Sequence, residues 1–271
     1  MSCPDLPSRP QVRYSLDTLG LAEMYDQLGH RQFDHGKLLI ADLEVLPGHH
    51  VLDIGTGTGR LGEYVAEQVA PHGLVIGIDP LASRVEVARR HTARNFRVQV
   101  GRAEDLSEFA AERFDIVYYN SVFHWIGDQP MALREARRVL KPGGRLGICT
   151  AAKERPNDLE TLMASLFGAM STLAHPFIYK VDSGRLAALL DEAGLGTSRM
   201  ELRSFADRFA DVDEVMNFQV ASSFGNAFAD LDDGERARVR AELDRGLDAH
   251  RLADGAIQLR RNSIFAVAAK A

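Results

Sequence analysis

Val51-Leu-Asp-Ile-Gly-Thr-Gly-Thr-Gly-Arg60 is the stretch whose reading decides the fold. Its first four residues, Val51 to Ile54, are apolar apart from one acid, Asp53, and predict a buried strand. Gly55, Gly57 and Gly59 then make a turn in which no Cβ keeps the backbone away from a ligand. Leu61, Tyr64, Val65 and Val69 follow at helical spacing on one face. Strand, glycine turn and amphipathic helix predict the ligand-handling corner of an open α/β sheet. A dinucleotide turn has glycine at its first, third and sixth positions, and the sixth here is Arg60. That departure argues against NAD. The plain alternative is a tight turn with no ligand.

The same alternation runs to about residue 150. Leu74 to Ile78 predicts a second strand ending in Asp79-Pro80. Ser83 is a candidate N-cap for a helix carrying Val85, Val87 and Ala88, and its arginines read most simply as a solvated face. Arg97 to Val100 predicts a third strand, leading into Gly101-Arg-Ala-Glu-Asp-Leu106, with Ser107 capping a short helix. Phe114 to Tyr119 predicts a fourth, and Asn120-Ser-Val-Phe-His-Trp-Ile126 leaves it as a loop. A helix from about Pro130 to Leu140 is stopped by Lys141-Pro-Gly-Gly144, and Arg145 to Thr150 predicts the fifth strand. Strands alternating with helices over short connections imply a mostly parallel sheet covered on both faces.

Composition sets limits on function. Of 271 residues, 32 are Lys or Arg and 38 Asp or Glu, for a net charge of −6. That sign is wrong for a protein that grips a nucleic-acid backbone over a broad surface. No run approaches the length of a membrane-spanning helix, and the N-terminus lacks the basic start and apolar core of a signal peptide. Cys3 and Cys149 are the only cysteines, too few for a disulfide framework or a cysteine metal site. No His, Cys and Asp spacing suggests a metal centre, and no Gly-x-Ser-x-Gly elbow is present. The expectation is a cytoplasmic protein with neither nucleic-acid nor membrane partners. Oligomeric state is not legible.

Over residues 45–150 the linked segments resemble the class I S-adenosylmethionine-dependent methyltransferases, in order and spacing. The resemblance implies a doubly wound, seven-stranded, mostly parallel Rossmann-like α/β sheet with a helical cap, using S-adenosyl-L-methionine as co-substrate. It implies backbone contacts from Gly55, Thr56 and Gly57 to the methionine part, with Asp53 holding the α-amino end. Asp79, followed by Pro80, matches the acid that accepts from both ribose hydroxyls, a task suited to two carboxylate oxygens. Asn120 and Ser121 match the loop between cofactor and acceptor, which also carries His124. One position departs from the pattern. Relatives often carry an acid where this chain has Arg102, which offers no acceptor. Ala103 keeps a backbone N–H for the adenine ring, and Glu104 or Asp105 is left to supply the missing acceptor.

The flanks are expected to form the acceptor pocket: residues 1–44 as a helical cap, and 151–271 as lid helices and C-terminal strands of the same domain. Tyr25 has two readings, cofactor contact or packing. Leu159 to Leu173 predicts an apolar lid helix with Met163, Leu166, Phe167 and Met170. Asp182-Ser183 opens a helix closed by Gly194, Arg199 to Phe205 predicts the sixth strand, and Ser263 to Ala268 the seventh. The resemblance implies that the seventh inserts antiparallel beside the sixth, with residues 211–250 a helical excursion. His124 is open as a contact, a packing residue or a general base. His30, His35 and His175 lie in cap segments, and Arg260 and Arg261 are either exposed or partners of an acceptor carboxylate. Three function classes follow. They are a small-molecule methyltransferase, a cofactor-binding protein of the same fold with another reaction or a binding role, and a nucleic-acid or protein methyltransferase. The acidic balance, and a loop after strand four without an Asn/Asp-Pro-Pro-Tyr/Phe motif, favour the first over the third.

Overall fold

The computed structural model describes residues 12–91, 93–167 and 179–271. Seven strands form one sheet in the order β3-β2-β1-β4-β5-β7-β6. They are β1 (His50–Ile54), β2 (Leu74–Asp79), β3 (Phe96–Val100), β4 (Phe114–Asn120), β5 (Leu140–Ala151), β6 (Leu195–Phe209) and β7 (Ile257–Lys270). β1 to β5 pair in parallel, and β7 enters antiparallel between β5 and β6. The order of strands reverses between β1 and β4, and such a switch point opens a crevice at their carboxyl ends. Gly55 leaves β1 there and Ser121 leaves β4 beside it.

Alternation along β1 explains the layers. Leu52 and Ile54 face a core shared with Leu133 of α5 (Gln129–Val139) and Leu189 of α7 (Ser183–Glu192). Val51 faces the opposite core, with Leu39 of α2 (His30–Asp42) and Val65 of α3 (Arg60–Val69). Asp53 pairs in register with Tyr118, and a Cβ on Gly62 of α3 would stand 2.5 Å from the Phe96 ring and 3.2 Å from Asp53 Oδ2, so that glycine lets the helix pack against both.

A third apolar cluster lies outside the sheet. It joins Leu159 and Met163 of α6 (Asp158–Phe167), Phe218 of α8 (Val212–Ser222) and Leu243 of α9 (Asp233–Gly246) to Phe209 and Leu259 at the outer ends of β6 and β7. The last two strands are therefore much longer than their apolar segments predict, because their ends support these helices as well as the sheet. Leu19–Leu28 forms α1, whose N-cap Thr18 accepts from Leu21 N. With α2 it makes the predicted N-terminal helices, and Gly194 closes α7 with φ +71° as expected. Met170, Leu173, His175 and Cys3 lie outside the described residues.

Three local expectations fail. α4 (Ala82–Ala88) starts two residues earlier than a Ser83 cap requires, and the Ser83 hydroxyl donates to Asp17 instead of capping. Ser107 follows a turn rather than opening a helix, since Asp105 Oδ1 takes its N–H at 3.1 Å. Arg84 is not on a solvated face. It is 2% exposed.

Candidate functional site

The glycine turn is tied to β2 before any ligand is considered. Gly55 N and Thr56 N both donate to Ile78 O, at 2.8 and 2.9 Å. Gly55 has φ +73°, and a Cβ there would sit 2.3 Å from Val122 Cγ2, so only glycine fits. Gly57 has φ +57°, yet the nearest atom to its would-be Cβ is Tyr25 Cε1 at 3.6 Å. Space in front of Gly57 is thus left by the protein, as a backbone that meets a ligand requires. Arg60, which breaks the dinucleotide pattern, donates from Nη1 to Asp26 O at 2.8 Å and lies over the Phe33 ring, fastening α3 to the cap.

Two buried acids flank the turn. Asp53 Oδ2 accepts from Thr56 Oγ1 at 2.8 Å, and burial pushes its carboxyl up to about 7. Asp79 Oδ2 accepts from Gly57 N and Oδ1 from Leu81 N, each at 3.0 Å. Burial raises Asp79 as well, against the lowering charge of Arg84. Each Asp79 oxygen retains a lone pair for a further donor.

One cavity of about 390 Å³ collects the predicted residues. Asp53, Gly55, Thr56 and Gly57 line it from β1, and Asp79 and Pro80 from β2. Arg102, Ala103 and Glu104 line it from the end of β3, and Asn120, Ser121 and His124 from the end of β4. The Arg102 guanidinium, about half exposed, pairs with Glu104 at 3.3 Å and lies over Tyr14. Asn120 Nδ2 donates to Gln32 O at 3.0 Å, while its buried Oδ1 has no partner among the described residues. Ser121 holds φ +59°, an unfavourable left-handed backbone kept in place by Ser121 N donating to Cys149 O at 2.8 Å. Such strain gathers at ligand sites. His124 Nδ1 lies 3.0 Å from Thr150 Oγ1 and accepts from Ala151 N at 3.3 Å. Tyr25 lines the cavity as well.

Sequence reading overlooked Arg84 as part of this wall. Its Nη2 donates to Ala221 O at 2.6 Å and to Asp17 Oδ1 at 3.2 Å, and its guanidinium lies between the rings of Tyr25 and Phe224 at 4.4 and 4.8 Å. A signal existed: Arg84 shares the helix face of Val87 and Ala88, three and four residues on. Phe224, at φ +60°, and Gln219 also escaped notice, because they reach the cavity from the C-terminal excursion. Among the described residues no group of three or more His, Cys, Asp or Glu is placed to hold a metal, and no helix is long and apolar enough to cross a membrane.

Known proteins match this arrangement. A family model described as a methyltransferase domain matches residues 46–194. Demethylmenaquinone methyltransferase from Symbiobacterium thermophilum is 37% identical over 150 residues, covering 49% of this chain and 57% of that protein. Arsenite methyltransferase from Aquipseudomonas alcaligenes is 33% identical over 155 residues, covering 54% and 43%. This chain thus spans about half the length of these curated relatives. The crystal structure of the YcgJ protein from Bacillus subtilis superposes with a TM-score of 0.60 at 23% identity, over 89% of this chain and 98% of that one, which shows a common fold.

Proposed function

The chain belongs to the class I S-adenosylmethionine-dependent methyltransferase family, and from that membership we propose that it methylates a small-molecule acceptor by in-line displacement. The observation that carries the proposal is the meeting of Asp53, the glycine turn and Asp79 in one cavity that extends beyond them into the lid.

The residues fit the cofactor chemically. Asp79 has a spare acceptor on each oxygen for two ribose hydroxyls. The space in front of Gly57 suits a ligand held against backbone. The orphaned Asn120 Oδ1 and the Asp53 carboxylate are acceptors for the ammonium end. Ala103 offers its N–H to the adenine ring, with Glu104 as the neighbouring acceptor in place of the acid that Arg102 replaces. When bound, S-adenosylmethionine supplies an electrophilic methyl on a sulfonium.

The chain's own contribution is alignment and exclusion of water. Arg84 and Arg60 pin the cap helices over the sheet edge, and Tyr25 and Phe224 roof the cavity. His124 contributes position: its Nδ1 is engaged by the Ala151 N–H and stands against Thr150, which fixes the ring in the cavity wall and supports a role in orienting the acceptor. The relatives are named for a demethylmenaquinone and for arsenite. This chain has two cysteines, and the Cys149 thiol is buried and pushed up to about 12, so an arsenical held on three thiols is disfavoured. Phenolic and hydroquinone acceptors head the expected range.

Two measurements test the proposal. Calorimetry should give micromolar-scale binding of S-adenosylhomocysteine, about −8 kcal/mol, and weaker binding of NAD. Release of S-adenosylhomocysteine from S-adenosylmethionine should appear with members of a panel of phenols, hydroquinones and small carboxylates. Tighter NAD binding overturns the cofactor, and binding without turnover on a broad metabolite panel overturns the reaction.

A further inference from the structure

Past the glycine turn the cavity acquires a second wall, contributed by α6, β6, α8 and the start of β7. Leu159, Met163, Phe209, Phe218 and Leu259 give that wall an apolar strip, bordered by polar residues such as Gln219 and Asn262. Arg261 stands in it with both Nη nitrogens to spare. Arg261 Nε donates to Asp207 Oδ2 at 2.6 Å, and the guanidinium carbon lies 5.4 Å from the centre of the Phe218 ring. Among the described residues neither of its Nη nitrogens donates a hydrogen bond, although the side chain lines the cavity and is 24% exposed. Of the neighbouring cations, Arg260 pairs with Asp158, Lys180 with Glu160, and Arg84 with Asp17 and Ala221 O.

The guanidinium is also fixed in direction. Asp207 is 5% exposed, and its second oxygen lies 3.4 Å from His35 Nε2. The His35 ring stacks on Phe205 at 3.8 Å between centroids. A fork clamped on its Nε edge in the wall of this cavity, with its Nη donors unused among the described residues, matches a carboxylate or phenolate oxygen. Leaving those donors buried beside a wholly neutral, non-accepting molecule would forfeit their hydration.

We propose that Arg261 anchors an anionic oxygen of an otherwise apolar acceptor. Calling that molecule the acceptor rests on the methyltransferase reading above. The cofactor's own carboxylate is the other source of the same chemistry. Arg261 shares its wall with Phe218 and Phe209, which favours the acceptor, and the titration with and without S-adenosylhomocysteine separates the two sources.

Trp125 lines the cavity and is the chain's only tryptophan, so its emission reports occupancy. Sodium octanoate and octanamide, an ion and a neutral near-isostere, are titrated into the protein with and without saturating S-adenosylhomocysteine. The parent should bind octanoate about tenfold tighter than octanamide, the scale of one charge-assisted contact. Arg261→Gln should bring the two within about twofold while leaving octanamide and S-adenosylhomocysteine binding unchanged. Arg261→Lys keeps a charge beside Asp207 but loses the fork, and should lose most of the preference. It carries the test if circular dichroism shows Arg261→Gln to be unfolded. Equal affinities in the parent overturn the proposal. So does an Arg261→Gln variant that loses S-adenosylhomocysteine binding and keeps its octanoate preference, which would give the residue to the cofactor. Failure of the parent to bind S-adenosylhomocysteine would instead sink the methyltransferase reading, and the ligand-free titration still decides the anion site.

Discussion

Gly57 N donates to Asp79 Oδ2 at 3.0 Å, so the carboxylate that faces the cavity also fastens the glycine turn of β1 to the end of β2. Asp79→Ala should therefore have two effects. S-adenosylhomocysteine binding should weaken by roughly 2–4 kcal/mol, and stability should drop by about 1–3 kcal/mol as the N–H groups of Gly57 and Leu81 lose their acceptor. Asp79→Asn, which keeps one acceptor, should lose less of both. Calorimetry and urea unfolding read the two separately, with the far-UV spectrum unchanged in each variant.

Gly55 and Gly57 look alike in the sequence and should respond differently to alanine. Gly55→Ala meets Val122 Cγ2 at 2.3 Å on top of its left-handed backbone. A stability loss of about 2–4 kcal/mol is expected. Gly57→Ala has 3.6 Å to its nearest neighbour. It should lose about 1–2 kcal/mol of stability for its φ alone, yet most of its S-adenosylhomocysteine affinity, because the new methyl fills the ligand's space. Thermal melts beside calorimetry separate the two.

Asp53 predicts a pH window. Its carboxyl is raised from 3.8 to about 7 by burial. Between those values the folded protein holds a proton that the unfolded chain has released. Stability should therefore be fully expressed near pH 4 and fall as pH rises toward 7, by at most ~1.4 kcal/mol per pH unit from this group. Asp53→Asn should remove that slope from denaturation curves taken across the window. Ligand binding runs the other way. If the ammonium end of S-adenosylhomocysteine meets ionised Asp53, affinity should fall as pH drops below about 7, by up to about tenfold per unit. The Asn variant should bind weakly with no such dependence.

Arg84 and Asp17 form a buried ion pair, with side chains 3% and 0% exposed. Arg84→Met leaves the Asp17 carboxylate buried and uncompensated, and should cost about 3–5 kcal/mol. The double variant with Asp17→Asn should recover part of that loss. Limited proteolysis should find the Arg84→Met cap cleaved within α1 before the sheet is attacked, since Arg84 ties Ala221 to α4 and shares with Ser83 the hold on Asp17.

His124→Ala should lower turnover on the best acceptor of the panel while S-adenosylhomocysteine affinity stays near that of the parent. A general base would add a rate loss of about 10²–10⁴-fold and a missing limb in the pH–rate profile. With Nδ1 already accepting from Ala151 N, the smaller, positioning effect is expected and the limb should remain. Unchanged turnover would leave His124 as packing.

The sequence by itself determined the five-stranded half of the sheet, the glycine turn and, to within a residue, where those five strands end. Those features are written in local chemistry: apolar runs that need burial, glycines whose φ no other residue tolerates, and an Asp where an apolar strand stops. Asp53, Asp79, Ala103 and Asn120 were expected as neighbours from the family resemblance, and the convergence of strand ends at the switch point of a parallel sheet is the physical reason they meet. Tertiary structure alone decided how the cap is held and what the far wall presents. Arg84 reads as a surface arginine until Asp17, Tyr25 and Phe224 are brought around it, and Arg261 as an exposed one until Asp207 and Phe218 enclose it. Arg84 and Phe224 lie 140 positions apart in the numbering. No periodicity connects such residues, because a long side chain's burial is set by what folds over it rather than by the helix or strand that carries it.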